Sequence, residues 1–295
     1  MGAPGRLLVV GDVIDDIVVR PVRPIRIDAD TDAEIANRPG GSAGNAASWM
    51  AAAGGDVRFR GRVGAADVER HTAALRALGV DAELDGDDEA PTGTIVLIVE
   101  GGHRTMLTQR GANARLSYDD IADDEIAAAA IVHTTGYGLD GHADAFGRLV
   151  ARAHAFGARV SLNPGSVGTV EDLGLPTMLA ALEATDVLIA NLDEGRVLTE
   201  RYTPDDVAAK LAEHCETIAL TMGEHGSIVG SAGSLTRVPS QRTELVDPTG
   251  AGDSFGAGFL VGLVAGLEPA AAAEQGARMA ARAVAQVGAR PAGAA

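Results

Sequence analysis

The sequence predicts an α/β fold: a mostly parallel central sheet with helices on both faces, plus a small β-sheet at one end. Three observations point there. Short β-rich runs alternate with Ala-rich runs of helical spacing along most of the 295 residues, the pattern of strands joined by crossover helices. Runs such as Leu7-Leu-Val-Val10 are apolar throughout, as strands covered on both faces require. Two segments break the alternation. Residues 17–38 are Pro-rich and charged, with β-branched Ile17, Val18, Val19 and Ile27. Residues 92–109 read as a hairpin, Thr94 to Glu100 and Thr105 to Gln109 around Gly101-Gly102.

In chain order, the predicted strands are 7–10, 57–63, 131–135, 159–163, 187–191 and 218–221. The predicted helices are 45–53, 68–78, 143–156, 204–213, 253–267 and 270–286. These divide the chain into an α/β core (1–12, 39–91 and 112–295) and a small β unit (13–38 and 92–111). The acidic run 85–89 is expected to be a solvated loop.

Composition narrows the function. The formal charge of −17 with no basic stripe argues against nucleic acid. Of 24 basic residues Lys210 is the one lysine, so the Gly-Lys-Ser/Thr of a P-loop is excluded. Phosphate must then be met by backbone N–H groups, arginine or a metal. One cysteine, Cys215, permits no internal disulfide and fits a reducing compartment; it is expected to be a buried structural residue. No signal-peptide pattern and no long apolar span is read, so a soluble cytoplasmic protein is expected. The histidines show no metal-binding spacing.

The most informative stretch is Asp247-Pro-Thr-Gly-Ala-Gly-Asp253, followed by Phe255, Phe259 and Leu263 at helical spacing. Glycines turn the chain into a helix whose first N–H groups lack internal partners and carry the positive end of the dipole. Such a start suits phosphate, and Asp253 sits in the same turn. A phosphate cradle beside a base is what phosphoryl transfer to a hydroxyl needs. An Asp-capped helix start that binds nothing is the alternative.

This stretch resembles the C-terminal signature of the ribokinase-like (phosphofructokinase-B) carbohydrate and nucleoside kinases. Gly40-Gly-Ser-Ala-Gly-Asn45, Asn191-Leu-Asp-Glu194 and Thr221-Met-Gly-Glu-His-Gly226 follow the family's order, and the likeness runs from about residue 6 to about residue 290. The resemblance implies a ribokinase-like fold and ATP-dependent phosphorylation of a small sugar or sugar-like molecule. A nucleoside and a keto-deoxy sugar acid are the alternative acceptors; the scarcity of aromatic residues to stack a base counts against the former. It also implies that the small β unit is a lid over the sugar and the contact of a homodimer, with neither nucleic acid nor membrane as partner.

By the same resemblance Asp253 is the catalytic base, with Gly250, Ala251 and Gly252 as the anion hole. Asp16 takes substrate hydroxyls with Gly40, Gly41 and Asn45; Asp12 is the second choice and Asp15 is expected to be exposed. Ile14 stands where ribokinases tend to carry Asn, which counts against ribose. Asn191 and Glu194 organise Mg²⁺ through water and phosphate, the style of an ion that keeps its waters. Thr221, Gly223 and Gly226 form an ATP-side loop, and Gly288 borders the adenine. Asp247 and Thr249 match a monovalent-cation (K⁺) site, or form an Asp-Pro turn. Arg110 either grips an acidic sugar or is exposed without a specific role.

Two motifs compete. Gly136-Tyr-Gly-Leu-Asp-Gly141 has dinucleotide-site spacing, but the following strand ends at Asn163-Pro164 without the required acidic residue. It is read as a turn on the substrate side. Gly40-Gly-Ser-Ala-Gly44 matches a nucleophile elbow, which would make Ser42 a hydrolase nucleophile; Pro39 argues against the strand that motif needs. A sugar-binding regulator without turnover is the non-enzymatic alternative, against which the intact Asp253 counts.

Overall fold

The computed structural model describes residues 5–100 and 103–292. Its nine-stranded sheet is built from β1 (Arg6–Val10), β4 (Val57–Gly64), β5 (Asp81–Asp87), β8 (Ala129–Thr135), β9 (Arg159–Asn163), β10 (Val187–Asn191), β11 (Thr217–Thr221), β12 (Ser227–Ser231) and β13 (Ser234–Val238). The order is β13-β12-β11-β10-β9-β8-β1-β4-β5. Seven strands, β11 through β5, run parallel, and β12–β13 close one edge as an antiparallel hairpin.

Helices cover both faces, and the alternation of side chains along each strand sorts the core into two layers. Leu8, Val10, Val132, Val160, Leu188 and Ile218 face one layer, which holds α3 (Asp123–Ala127), α4 (Ala143–Ala155), α5 (Val167–Leu173), α6 (Leu175–Glu183), α7 (Leu192–Thr199) and α8 (Pro204–Leu211). Leu7, Val9, Ile131, Val187 and Ala219 face the other, which holds α1 (Ser42–Ala52), α2 (Val68–Arg76), α9 (Ala251–Val264) and α10 (Pro269–Val284). Cys215 is buried, its thiol on the Leu182 carbonyl. Among the described residues no helix is long and apolar enough to cross a membrane.

The second sheet, in the order β3-β2-β6-β7, contains β2 (Ile14–Pro21), β3 (Ala33–Gly40), β6 (Gly93–Glu100) and β7 (His103–Gln109). The hairpin appears where the sequence places it; its Gly101-Gly102 turn lies outside the described residues. Residues 17–38 supply parts of β2 and β3, and Pro39 sits on the edge strand β3, where a missing N–H is tolerated.

Three local expectations are corrected. Residues 85–87 belong to strand β5, not to a loop, and Asp87 is buried. Its carboxylate accepts from Arg62 Nε at 2.8 Å and from the N–H groups of Glu89 and Ala90. Arg58, Arg60 and Arg62 on β4 face the acidic residues of β5, so an edge strand is zipped by charge pairs that hydropathy does not reveal. Asp15 is half-buried, gripped bidentately by Arg70 of α2 at 2.9 and 2.7 Å. That pair ties the second sheet to the main body. The helix predicted from residue 45 begins three residues earlier, at Ser42, with Gly41 as its cap residue.

Chain order places β4 and β5 on one side of β1, and β8 to β11 on the other. The carboxyl ends of β1 and β8 therefore flank the switch point where ligands bind in open α/β sheets.

Candidate active site

Just beyond β1, Asp12 is buried and bonds the first N–H groups of α1, Ser42 N at 2.8 Å and Ala43 N at 3.1 Å. Both its carboxylate oxygens are thus engaged in capping a helix, a structural use rather than an open substrate contact. Gly41 enters α1 with φ of 92°, and a Cβ there would stand 2.5 Å from the Asp12 carbonyl oxygen. Only glycine accepts both conditions.

This entry brings three polar groups of distant sequence together. Ser42 Oγ donates to Asp253 Oδ1 at 2.5 Å, and Asn45 Nδ2 donates to Asp253 Oδ2 at 3.1 Å. Asp16, on β2, lies over Gly40, where any side chain would occupy the space of its carboxylate. Asp16 has no hydrogen-bond or ion-pair partner among the described residues. Burial pushes the Asp16 carboxyl up to about 6, with Arg290 opposing and Asp12, Asp15 and Asp253 reinforcing. Asp253 is likewise raised to about 6 by burial, against the hydrogen bonds from Ser42 and Asn45 and the charge of Arg290.

Asp253 stands in the first turn of α9. Gly250 takes the left-handed conformation (φ 79°) and abuts Ala289, where a Cβ would come within 2.6 Å of the carbonyl oxygen. Gly252 is exposed, with open space where a Cβ would be. Ala251 N donates to Pro248 O at 3.3 Å, so its N–H is partly taken. The helix start opens toward solvent beside Gly252, as an anion site requires.

A second group lines an open pocket of about 410 Å³ at the carboxyl ends of β9, β10 and β11: Gly165, Ser166, Asn191, Glu194, Thr221 and Gly223 among others. Asn191 and Glu194 form a capping box on α7, with Asn191 Oδ1 accepting from Asp193 N and Glu194 N, and Glu194 Oε2 accepting from Asn191 N at 2.9 Å. Burial raises the Glu194 carboxyl to about 7; its bonds from Asn191 oppose this and the charge of Asp253 adds to it. Gly226 is not on the pocket wall; its N–H returns to Gly223 O and it packs against Val238.

Asp247 Oδ1 accepts from Thr249 N (3.0 Å) and Oγ1 (2.6 Å), and Oδ2 accepts from Gly288 N at 3.1 Å. Gly288 and Asp247 thus join the loop before α9 to the stretch after α10. Arg110 is half-buried, its Nη1 donating to Tyr137 O at 2.9 Å and its guanidinium 5.6 Å from the Tyr137 ring centroid. Tyr137 belongs to the Gly136–Gly138 turn and donates to Gly165 O at 2.9 Å, so this turn bridges the two groups. Ser42 follows strand β3 after all, but its hydroxyl meets Asp253 and no histidine. A hydrolase triad is not assembled there.

Sequence reasoning missed Arg290, Tyr137, Gly165 and Ser166 as site residues. Asn163-Pro-Gly-Ser166 follows a parallel strand, and that position was the available signal. Arg290 had none: it is one arginine among 23.

Comparison with known proteins identifies the family. The model of the pfkB family carbohydrate kinases matches residues 5–293. The chain is 30% identical over 266 residues to an ATP-dependent ribose-1-phosphate kinase of Halopiger xanaduensis, covering 86% of this chain and 83% of that one. It is 29% identical over 236 residues to an uncharacterized sugar kinase of Archaeoglobus fulgidus, covering 78% and 88%. The solved adenosine kinase of Sinorhizobium meliloti superposes with a TM-score of 0.88 at 29% identity, over 98% of this chain and 96% of that one. The fold is ribokinase-like; the chain belongs to the pfkB family of carbohydrate kinases, phosphotransferases that take an alcohol group as acceptor.

Proposed function

We propose that this kinase moves the γ-phosphoryl group of ATP onto a hydroxyl of a small neutral sugar or sugar-like molecule, with Asp253 as the base. The observation that carries the reading is the setting of Asp253. Its carboxylate is held by Ser42 and Asn45 in the first turn of α9, near the unpaired Asp16. Asp16 and Asn45 orient the acceptor, whose hydroxyl proton passes to the Asp253 carboxylate. The hydroxyl oxygen forms a bond to the γ-phosphorus as the bond to the bridging oxygen breaks, and that electron pair leaves with ADP. Negative charge developing on the phosphoryl oxygens meets the N–H groups of the Gly250–Gly252 helix start.

The pocket of Asn191, Glu194, Thr221 and Gly223 is the nucleotide side. Among the described residues no cluster of three or more His, Cys, Asp or Glu could hold a metal. Mg²⁺ carried on phosphates needs one or two carboxylates and its own waters, and the Glu194–Asn191 pair fits that need. When bound, the ion neutralises and orients phosphate oxygens. K⁺ at the Asp247–Thr249 turn belongs to the same proposal and is checked by replacing K⁺ with Na⁺ at constant ionic strength. The second sheet acts as a lid that excludes water. Its exposed Ile35 and Leu107, which the register places on one face, support pairing of two copies through it. A single buried thiol supports a cytoplasmic setting.

A neutral acceptor is favoured over a sugar acid because Arg110 is turned onto Tyr137, while the open charged group is the Asp16 carboxylate. The test is ADP release from Mg·ATP across neutral sugars, sugar acids and nucleosides, with Asp253→Asn in parallel. One strong neutral acceptor, lost in the variant, is the expected result. Turnover that survives in Asp253→Asn would overturn the assignment of the base.

A further inference from the structure

We propose that Arg290 is a positioning residue of the transfer site, fixing the Asn45 amide and, through it, the orientation of the Asp253 carboxylate. The inference rests on Asp253 as base and adds a residue to which no motif above gives a role. Arg290 follows α10 and is 7% exposed. Its Nε donates to Asn45 Oδ1 at 3.2 Å, and its Nη2 donates to Gly40 O at 2.7 Å. Its own backbone is anchored on both sides: Trp49 Nε1 donates to Ala289 O at 2.8 Å, and Gln286 Nε2 donates to Arg290 O at 2.6 Å. Gly44 leaves room for the guanidinium; a Cβ there would lie 2.7 Å from Nη2.

The chemistry of the groups makes the chain of bonds directional. A guanidinium has donors and no acceptor, so the Asn45 atom facing it must be the oxygen. That leaves the Asn45 NH₂ for Asp253, where it donates to Oδ2. Without the arginine the amide would keep only its bond to Asp253 and could swing away from the geometry that holds the carboxylate. Ser42 alone would then hold one oxygen of the base. The same residue grips the carbonyl of Gly40, beneath Asp16, so it joins the acceptor contacts to the base.

Nη1 is buried without a hydrogen-bond partner among the described residues. A guanidinium enclosed at such cost, where an apolar side chain would pack more cheaply, fits a functional role. Its charge also acts on the base. The groups facing Asp253 are Asp12 after β1, Asp16 on β2, Ser42 and Asn45 on α1, Tyr137 after β8, Glu194 on α7 and Arg290. Arg290 is the positive charge among them; burial lowers its own pKa to about 10, against the pull of Asp16, Asp12, Asp15 and Asp253.

The test pairs Arg290→Gln with Arg290→Lys in the full chain. Two readouts are used: ¹³C-carboxyl NMR titration of Asp253 without substrates, and the pH profile of kcat with the best acceptor. In Arg290→Gln the Asp253 midpoint is expected to rise by about one pH unit, the acid limb of kcat to follow, and kcat at pH 7 to fall about tenfold or more, with KM for ATP little changed. Arg290→Lys keeps the charge but not the fork, so its midpoint should stay while kcat falls. Wild-type titration and wild-type kcat in Arg290→Gln would overturn the proposal. If Arg290→Gln does not fold, Arg290→Lys decides: full kcat at an unchanged melting temperature overturns it. A wild-type chain that phosphorylates no acceptor would overturn the kinase reading instead, while the titration still decides whether Arg290 acts on Asp253.

Discussion

Asp253, the proposed base, shows how surroundings change the chemistry of one residue type. A carboxylate in water titrates near 4 and is a weak base at neutral pH; burial at the start of α9 raises this one to about 6. It stays ionised at pH 7 yet binds a proton more readily than an exposed aspartate, which general base catalysis favours. Two outcomes follow. Asp253→Asn should lower kcat by about 10²–10⁴-fold while the circular dichroism spectrum is retained. In the wild type, kcat/KM should fall as pH drops through about 6, because the base is then protonated; a rate flat down to pH 5 would contradict this. Asp16→Asn should act differently, raising KM for the acceptor with a smaller effect on KM for ATP, as steady-state kinetics would show.

At the scale of elements, the α9 start separates structural glycine from functional glycine. Gly250 is left-handed and pressed against Ala289, so Gly250→Ala should lower stability by about 1–3 kcal/mol, measured by urea unfolding. Gly252→Ala meets nothing in the folded chain and should melt at or above the wild-type temperature, since Ala favours a helix by about 1 kcal/mol. Its methyl group would fill the space over the helix N-terminus, so kcat/KM for ATP should drop by about tenfold or more. Equal stability losses in the two variants would refute the distinction. The start of α7 has one set of bonds for both purposes: the Asn191–Glu194 box ends the strand, begins the helix and presents a carboxylate to the pocket proposed for the nucleotide.

For the whole molecule, the site is a source of instability. Asp16, Asp253 and Glu194 all have folded-state pKa values above their ordinary ones. Each therefore favours the fold below its unfolded pKa of about 4 and loses that contribution as pH rises from there through its folded pKa of about 6 to 7. Asp15 and Asp67 are shifted the opposite way, by Arg70 and by Thr92 respectively, and their contribution is lost in acid below about pH 4. The melting temperature should accordingly be highest near about pH 4 and decline between about pH 4 and 7, with Asp16→Asn more stable than wild type at pH 8. No decline between about pH 4 and 7 would show that these carboxylates are not enclosed as described. Association is the second whole-molecule outcome. Replacing exposed Ile35 and Leu107 with Glu should convert a dimer to a monomer by light scattering; a wild-type monomer would remove the second-sheet contact from the proposal.

The parallel core was legible because its strands are buried on both faces and so are apolar without interruption, as at residues 7–10. The helix start before Asp253 was legible because glycine is the residue that a turn against another backbone demands. Strand β5 was not legible, since its pairing with β4 runs through arginine–carboxylate contacts that leave no hydropathy pattern. By itself, then, the sequence determined the α/β class, written in local backbone and burial requirements, and through its motifs the family; it also singled out Asp253, the base proposed above. The tertiary structure alone decided that Asp12 caps a helix, that Arg110 turns onto Tyr137, and that Arg290 reaches across 245 positions to Asn45. Those are contacts between residues far apart in the chain, and their partners are chosen by the way the layers pack rather than by any neighbouring residue.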